Sequence, residues 1–279
     1  MSENREAVVA GHYGLRELKA TIINAISASG LSLHGLKPTD LAAVDEFHMG
    51  GRGATVEIVE LMKLSAESRV LDIGCGIGGL TRYLASEIGC RVSGLDLTPE
   101  YVDIARELTQ LTGLSEKIEY QVGSALDLPF QNAVFDAVTT FHVAMKFADR
   151  RSMYHEAARV LRPGGVFTVY DVMKGSTPGM LFPVPWAETE ATNHLISPTE
   201  MNEHLQEANF LIEYEEDRTP LVLQHHRAKI AETSDGEAPA ALGLHLLQGD
   251  NAKEKSQNMI RMVEANQIAL GVFIARRNG

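Results

Sequence analysis

From residue 69 onward, short apolar runs of strand length alternate with longer stretches whose apolar residues recur three and four positions apart. The short runs are Arg69 to Ile73, Arg91 to Asp96, Ile118 to Val122, Phe135 to Phe141 and Val166 to Val172. Between them, Leu80 to Ile88, the segment opened by Thr98 and Pro99 through Leu111, and Arg151 to Leu161 have helical spacing. One helix between successive strands is the signature of parallel βαβ units. The pattern continues with a helix over Pro198 to Ala208, N-capped by Ser197, and strands over Phe210 to Glu216 and Leu270 to Arg276. Helical spacing also covers Leu15 to Ala28, Ala54 to Leu64, Leu221 to Glu232 and Asn251 to Ile268, while Ser234 to Gly249 reads as a small-residue connection. The segment from Lys174 to Ser197, which a parallel sheet does not require, contains the only tryptophan.

The first strand runs into VLDIGCGIGG, Val70 to Gly79. Its four glycines remove side-chain bulk just before a helix N-terminus, so a ligand gains close access to backbone N–H groups and the positive end of the helix dipole. Positions 74, 76 and 79 satisfy G-x-G-x-x-G, and Asp96 follows about twenty residues on, where a ribose-binding carboxylate belongs. NAD fits that spacing. Asp72, however, stands at the strand end beside the loop, where a carboxylate repels a pyrophosphate and suits a ligand with an adenosine, a cationic sulfur and an ammonium. S-adenosylmethionine is such a ligand. Asp72, Gly74, Cys75, Gly76, Asp96 and the adjoining Leu97 are its expected contacts, with the carbonyls of Thr140 and Phe141 accepting from its ammonium at the end of the fourth strand.

Charge and composition narrow the partners. A net charge of −12 with no basic stripe excludes nucleic acid as a substrate. No apolar run is long enough for a membrane span, no signal peptide is visible, and the two cysteines, Cys75 and Cys90, neither frame disulfides nor bind zinc. A cytoplasmic protein without a metal is expected.

VLDIGCGIGG, VSGLDLTPEYVDIA, VGSALDLPF, FDAVTTFHVAM and ARVLRPGGVF, in that order between about Ala54 and Gly165, resemble the class I S-adenosylmethionine-dependent methyltransferases. DEFHMGGRGAT and FPVPWAETEATNHLISPTEM more loosely resemble the small-molecule subgroup containing sarcosine/dimethylglycine N-methyltransferases. The resemblance implies an α/β fold, a Rossmann-like doubly wound sheet, mostly parallel with an antiparallel last strand, under a helical cap. Residues 1–53 would form lid helices; 54–173, 198–217 and 269–279 the cofactor domain; and 174–197 with 218–268 the substrate cap insertions. Ser124 stands where relatives carry an adenine-binding acid, so its hydroxyl, or a water, would serve the adenine amino group there, with the backbone N–H of Ala125 also available to the ring. The histidine that many relatives place after the fourth strand is replaced by Val143-Ala144-Met145-Lys146.

His142 is then a substitute base, Asp171 a substrate-facing carboxylate and His48 a substrate-orienting residue; packing or loop capping explains each equally simply. Trp186, with Glu188 and His194 nearby, would attract a methylated amine by cation–π and Coulomb forces, although a buried tryptophan also serves plain packing. The expected activity is methyl transfer to a small molecule, an amine of the sarcosine/dimethylglycine type, by in-line displacement. O- or C-methylation of a small metabolite is the alternative within the class, and an NAD-linked oxidoreductase or a non-catalytic cofactor-binding protein lies outside it. A homodimer is left open.

Overall fold

The computed structural model describes residues 17–224, 240–249 and 251–279. The expected start of the first helix at Leu15, most of the helix from Leu221 to Glu232 and the beginning of the 234–249 connection lie outside those residues.

Five parallel strands and two further strands form one sheet. The strands are β1 Arg69–Ile73, β2 Arg91–Asp96, β3 Ile118–Val122, β4 Phe135–Phe141, β5 Leu161–Lys174, β6 Phe210–Asp217 and β7 Ile268–Arg277, in the spatial order β3-β2-β1-β4-β5-β7-β6. β7 runs antiparallel to both β5 and β6. Because the chain winds outward from β1 toward β3 and then returns to β4 on the other side, the carboxyl ends of β1 and β4 flank the crevice where such sheets bind ligands. β1 and β4 are buried on both faces, which accounts for their nearly continuous apolar runs.

The helices are α1 (17–28), α2 Ala42–Asp45, α3 Gly51–Met62, α4 Gly79–Tyr83, α5 Pro99–Leu111, α6 Arg150–Val160, α7 Pro198–Glu207, α8 (219–224), α9 His245–Gln248 and α10 Ala252–Glu264. Strand alternation sorts the cores. Val70, Val92, Tyr170, Val172 and Leu270 face α3, α4, α5 and α10, whereas Leu71, Ile73, Val138, Phe167 and Val169 face α6 and α7. A third cluster joins Ile22 and Ile26 of α1 to Ile104 and Leu108 of α5, Ile77 of the glycine loop and Leu242 ahead of α9. No helix among the described residues is long and apolar enough to cross a membrane.

Three boundaries depart from the sequence pattern. The Arg162-Pro163-Gly164-Gly165 stretch, which precedes the strand expected from Val166, lies inside β5 as a bulge, since Phe135 pairs Leu161 while Ala137 pairs Val166. α10 ends at Glu264 and not Ile268: Asn266 takes a left-handed backbone (φ 54°), and the N–H groups of Asn266 and Gln267 close onto Val263 and Met262. α6 begins at Arg150, where the carboxylate of Asp149 accepts from the Ser152 N–H at 3.1 Å. At α7 the expected cap holds, with Ser197 and Glu200 exchanging bonds in a capping box.

Candidate active site

The glycine loop folds back on β2. The N–H groups of Gly74 and Cys75 both donate to the Leu95 carbonyl, at 2.7 and 3.1 Å. Gly74 has φ 73°, and a β-carbon there would run into the side chain of Val143, so the close approach of the β4 loop demands glycine. Asp96 knits the floor together: its Oδ2 accepts from the Gly76 N–H and its Oδ1 from the Thr98 N–H, both at 2.9 Å. That carboxylate, and not the Thr98 hydroxyl, caps the start of α5. Each Asp96 oxygen keeps a second lone pair for a ribose hydroxyl.

Asp72 is 2% exposed. One of its carboxyl oxygens accepts from the Thr139 hydroxyl at 2.9 Å, and the other has no partner among the described residues. Burial, reinforced by the field of Asp96 and opposed by the Thr139 bond, pushes its pKa up to about 7. A cation placed beside it would complete both its charge and its hydrogen bonding.

The segment 45–49 forms one wall. Asp45 meets Arg82 of α4 at 2.5 Å, both side chains fully buried, which ties α2 to the glycine-loop helix. Burial still outweighs Arg82 and lifts Asp45 to about 6. Glu46 is the opposite case: burial pushes its pKa up, but His48, Arg52 and Thr55 together hold it below the carboxylate range. His48 Nε2 lies 2.9 Å from Glu46 and 3.0 Å from Thr55, and its Nδ1 3.2 Å from the Met49 carbonyl, so both ring nitrogens are engaged within the wall. The Tyr170 hydroxyl donates to that same carbonyl at 2.7 Å.

At the end of β4, His142 adopts a left-handed backbone (φ 55°) and donates its N–H to the Tyr170 carbonyl at 2.7 Å. This turn lays its ring 4.8 Å from the Tyr170 ring and 5.9 Å from that of His48. Burial, with lesser repulsion from His48 and Lys146, depresses its pKa well below the usual value, so the imidazole is neutral near pH 7. Its Nε2 is buried without a partner.

These walls enclose a cavity of about 280 Å³. Asp72, Gly74, Cys75, Gly76, Asp96, Phe141, His142, His48 and Trp186 line it, as the sequence reading expects. Seven other expected residues do not. Leu97 is 67% exposed on the rim. The Ser124 hydroxyl accepts from the Leu126 N–H of its own turn, and Ala125 packs into the core on the α6 face. Thr140 and Asp171 are buried, and β-alternation turns them toward α6, since it is Tyr170 that faces the site. Asp171 therefore does not line the cavity; burial raises it to about 7, against the charges of Arg150 and Lys146. Glu188 is exposed and pairs outward with Lys255 at 2.6 Å, and the His194 carbonyl accepts from Arg150. The far wall instead comprises Met145, Lys146, Pro185, Trp186, Leu244, Leu247, Gln248, Lys255 and Met259. The α9 and α10 contributors carried no local signal, because only the fold brings them over the sheet.

A crevice at a sheet switch point, with free lone pairs on Asp96 and a buried Asp72 oxygen without a partner among the described residues, has the placement and polarity that suit a nucleoside ligand. Residues 71–169 match the family described as Methyltransferase domain. A probable tocopherol O-methyltransferase of Oryza sativa subsp. japonica is 41% identical over 95 residues, covering 34% of this chain and 26% of that protein. A glycine/sarcosine/dimethylglycine N-methyltransferase of Actinopolyspora halophila is 35% identical over 162 residues, covering 58% and 26%. A sterol C-methyltransferase also matches. The solved structure of Haemonchus contortus phosphoethanolamine N-methyltransferase 2 in complex with S-adenosyl-L-methionine superposes with a TM-score of 0.68 at 21% identity, covering 87% of this chain and 58% of that one. The chain spans a quarter to a half of the length of the curated relatives it matches. Residues 71–169, about a third of the chain, are thus similar to methyltransferase domains.

Proposed function

We propose that the protein is an S-adenosylmethionine-dependent methyltransferase acting on a hydroxyl group of a small molecule, with His142 as the proton acceptor. The observation that carries this reading is the neutral, cavity-lining imidazole whose buried Nε2 lacks a partner. A hydroxyl docked there would satisfy that nitrogen and lose its proton to it as the oxygen attacks.

The cofactor fits the residues present. Asp72 offers a partnerless oxygen to its cationic end, Asp96 offers lone pairs to a ribose, and the space over Gly76 is open, with nothing within 4 Å of where a β-carbon would stand. Bound there, S-adenosylmethionine supplies a methyl group on a positively charged sulfur. The chain's share is to orient the acceptor in line, exclude water with Met145, Trp186, Leu247 and Met259, and take the proton. A pyrophosphate would meet the carboxylates of Asp72 and Asp96, which argues against NAD. We assign 54–173, 198–217 and 269–279 to the cofactor domain and, of the described residues, 17–53, 174–197, 218–224, 240–249 and 251–268 to the cap; the rest of the expected cap lies outside the described residues.

An amine acceptor of the sarcosine/dimethylglycine type would draw on Trp186 and Glu188 as a cation site, and the outward ion pair of Glu188 with Lys255 withdraws half of that support. A turnover assay with labelled cofactor over matched phenols and amines tests the reading. Methylation of phenols that falls at least about a hundredfold in His142→Ala supports it; methylation confined to amines and indifferent to that substitution would sink it.

A further inference from the structure

Away from the sheet, the cavity wall draws on a strap over 181–188 that carries Pro185 and Trp186, on α9 with Leu247, and on α10 with Lys255 and Met259. Asn251, Lys255, Asn258 and Met262 recur four, three and four positions apart, so they share one face of α10. That face meets the strap. The Asn258 amide donates to the Pro183 carbonyl at 3.0 Å, the Leu181 N–H to the Met262 sulfur at 3.2 Å, and the Asn251 amide to Glu188 at 3.2 Å. Lys255 reaches further: its ammonium pairs with Glu188 at 2.6 Å and also donates to the Gln248 carbonyl at the end of α9, at 3.2 Å. One charge thus ties the strap and α9 to the same helix.

Lys255 is 9% exposed. An ammonium that far withdrawn from water is unfavourable without partners, and a methionine would fill the same space with no such cost. What the charge adds is the tie. Trp186 sits in a tight turn, in which Val184 and Ala187 exchange N–H···O bonds at 2.8 and 3.2 Å and the indole N–H donates to Asn193 at 2.9 Å. One leg of that turn is anchored at Pro183 by Asn258, the other at Glu188 by Lys255 and Asn251. We propose that Lys255 is a positioning residue for the methyl acceptor: by joining Glu188 to Gln248 it holds the Trp186 turn and α9 together over the acceptor side of the cavity. Its ammonium is engaged with the protein, so it acts through Trp186 and Leu247 and not by contact with the acceptor. The role rests on the methyltransferase reading, which names what the cavity holds.

Trp186 is the only tryptophan of the chain and 7% exposed, so acrylamide quenching of the ligand-free full chain reports the strap directly. Lys255→Met should raise the quenching constant at least about twofold, and Lys255→Arg should stay near the unmodified value. Glu188→Ala, a change at a side chain 62% exposed, should match Lys255→Met, and the double variant should quench no more than either single one, because both break one tie. Calorimetry should find S-adenosylhomocysteine binding within about twofold of the unmodified chain in every variant, since the cofactor contacts lie on the sheet side. Quenching unchanged in Lys255→Met, quenching raised there but not in Glu188→Ala, or S-adenosylhomocysteine binding lost in step with it would overturn the assignment while leaving the methyltransferase reading intact. If S-adenosylhomocysteine fails to bind the unmodified chain, that reading falls and takes this role with it.

Discussion

As the proposed partner of the cofactor's cationic end, Asp72 would couple cofactor binding to protons. Its pKa of about 7 in the folded chain lies above the ordinary value of 3.8, so the penalty for ionising it is absent below about pH 4 and grows as the pH rises through 7. Asp72→Asn should therefore stabilise the ligand-free protein at pH 8, by on the order of 1–3 kcal/mol, with no gain at pH 4, read from urea unfolding at the two pH values. The same substitution should weaken S-adenosylmethionine binding at least tenfold (about 1.4 kcal/mol), because it deletes the charge that the cation meets. His142 has the opposite sign. Its depressed pKa keeps the imidazole able to accept a proton, so kcat should fall only well below pH 6.5, and His142→Gln should flatten that acid limb. Asp72, Gly74 and Asp96 were legible in the sequence because their roles follow from chain position alone. Lys146 was visible only as one of the four residues in the region where a histidine was expected, and its place on the cavity wall is a tertiary fact.

At the scale of elements, one buried ion pair ties the wall of residues 45–49 to α4. Arg82→Met would leave the Asp45 carboxylate uncompensated inside the protein and should cost about 3–5 kcal/mol in urea unfolding, far more than loss of the half-exposed Lys19–Glu107 pair. Gly74→Ala should abolish cofactor binding by forcing the β4 loop away, as a fluorescence or calorimetric titration would register. The strand and helix pattern of the cofactor half was readable because buried parallel strands are short apolar runs and their helices are amphipathic. Strand alternation at β5 was readable as well, but the face assigned to it was not. Whether Tyr170 or Asp171 looks into the site depends on which side of the sheet α6 covers, and that is set by winding. The bulge at Arg162 to Gly165 escaped for a similar reason, since a Pro-Gly-Gly sequence serves a turn and a bulge alike.

For the molecule as a whole, the crevice joins parts far apart in sequence: the wall before α3, the glycine loop, the ends of β2 and β4, the 185–186 strap, and α9 with α10. Ligand binding should therefore stabilise the chain globally, raising Tm with S-adenosylhomocysteine by an amount equivalent to about 2.7 kcal/mol at a hundred times Kd. The carboxylates of the crevice decide what enters it, and calorimetric titration of S-adenosylmethionine at pH 6 in two buffers of different ionisation enthalpy tests that directly. The account predicts binding with release of about one proton, vanishing in Asp72→Asn. Absence of binding, binding without proton release, or tighter binding of NADH in the same cell would contradict it.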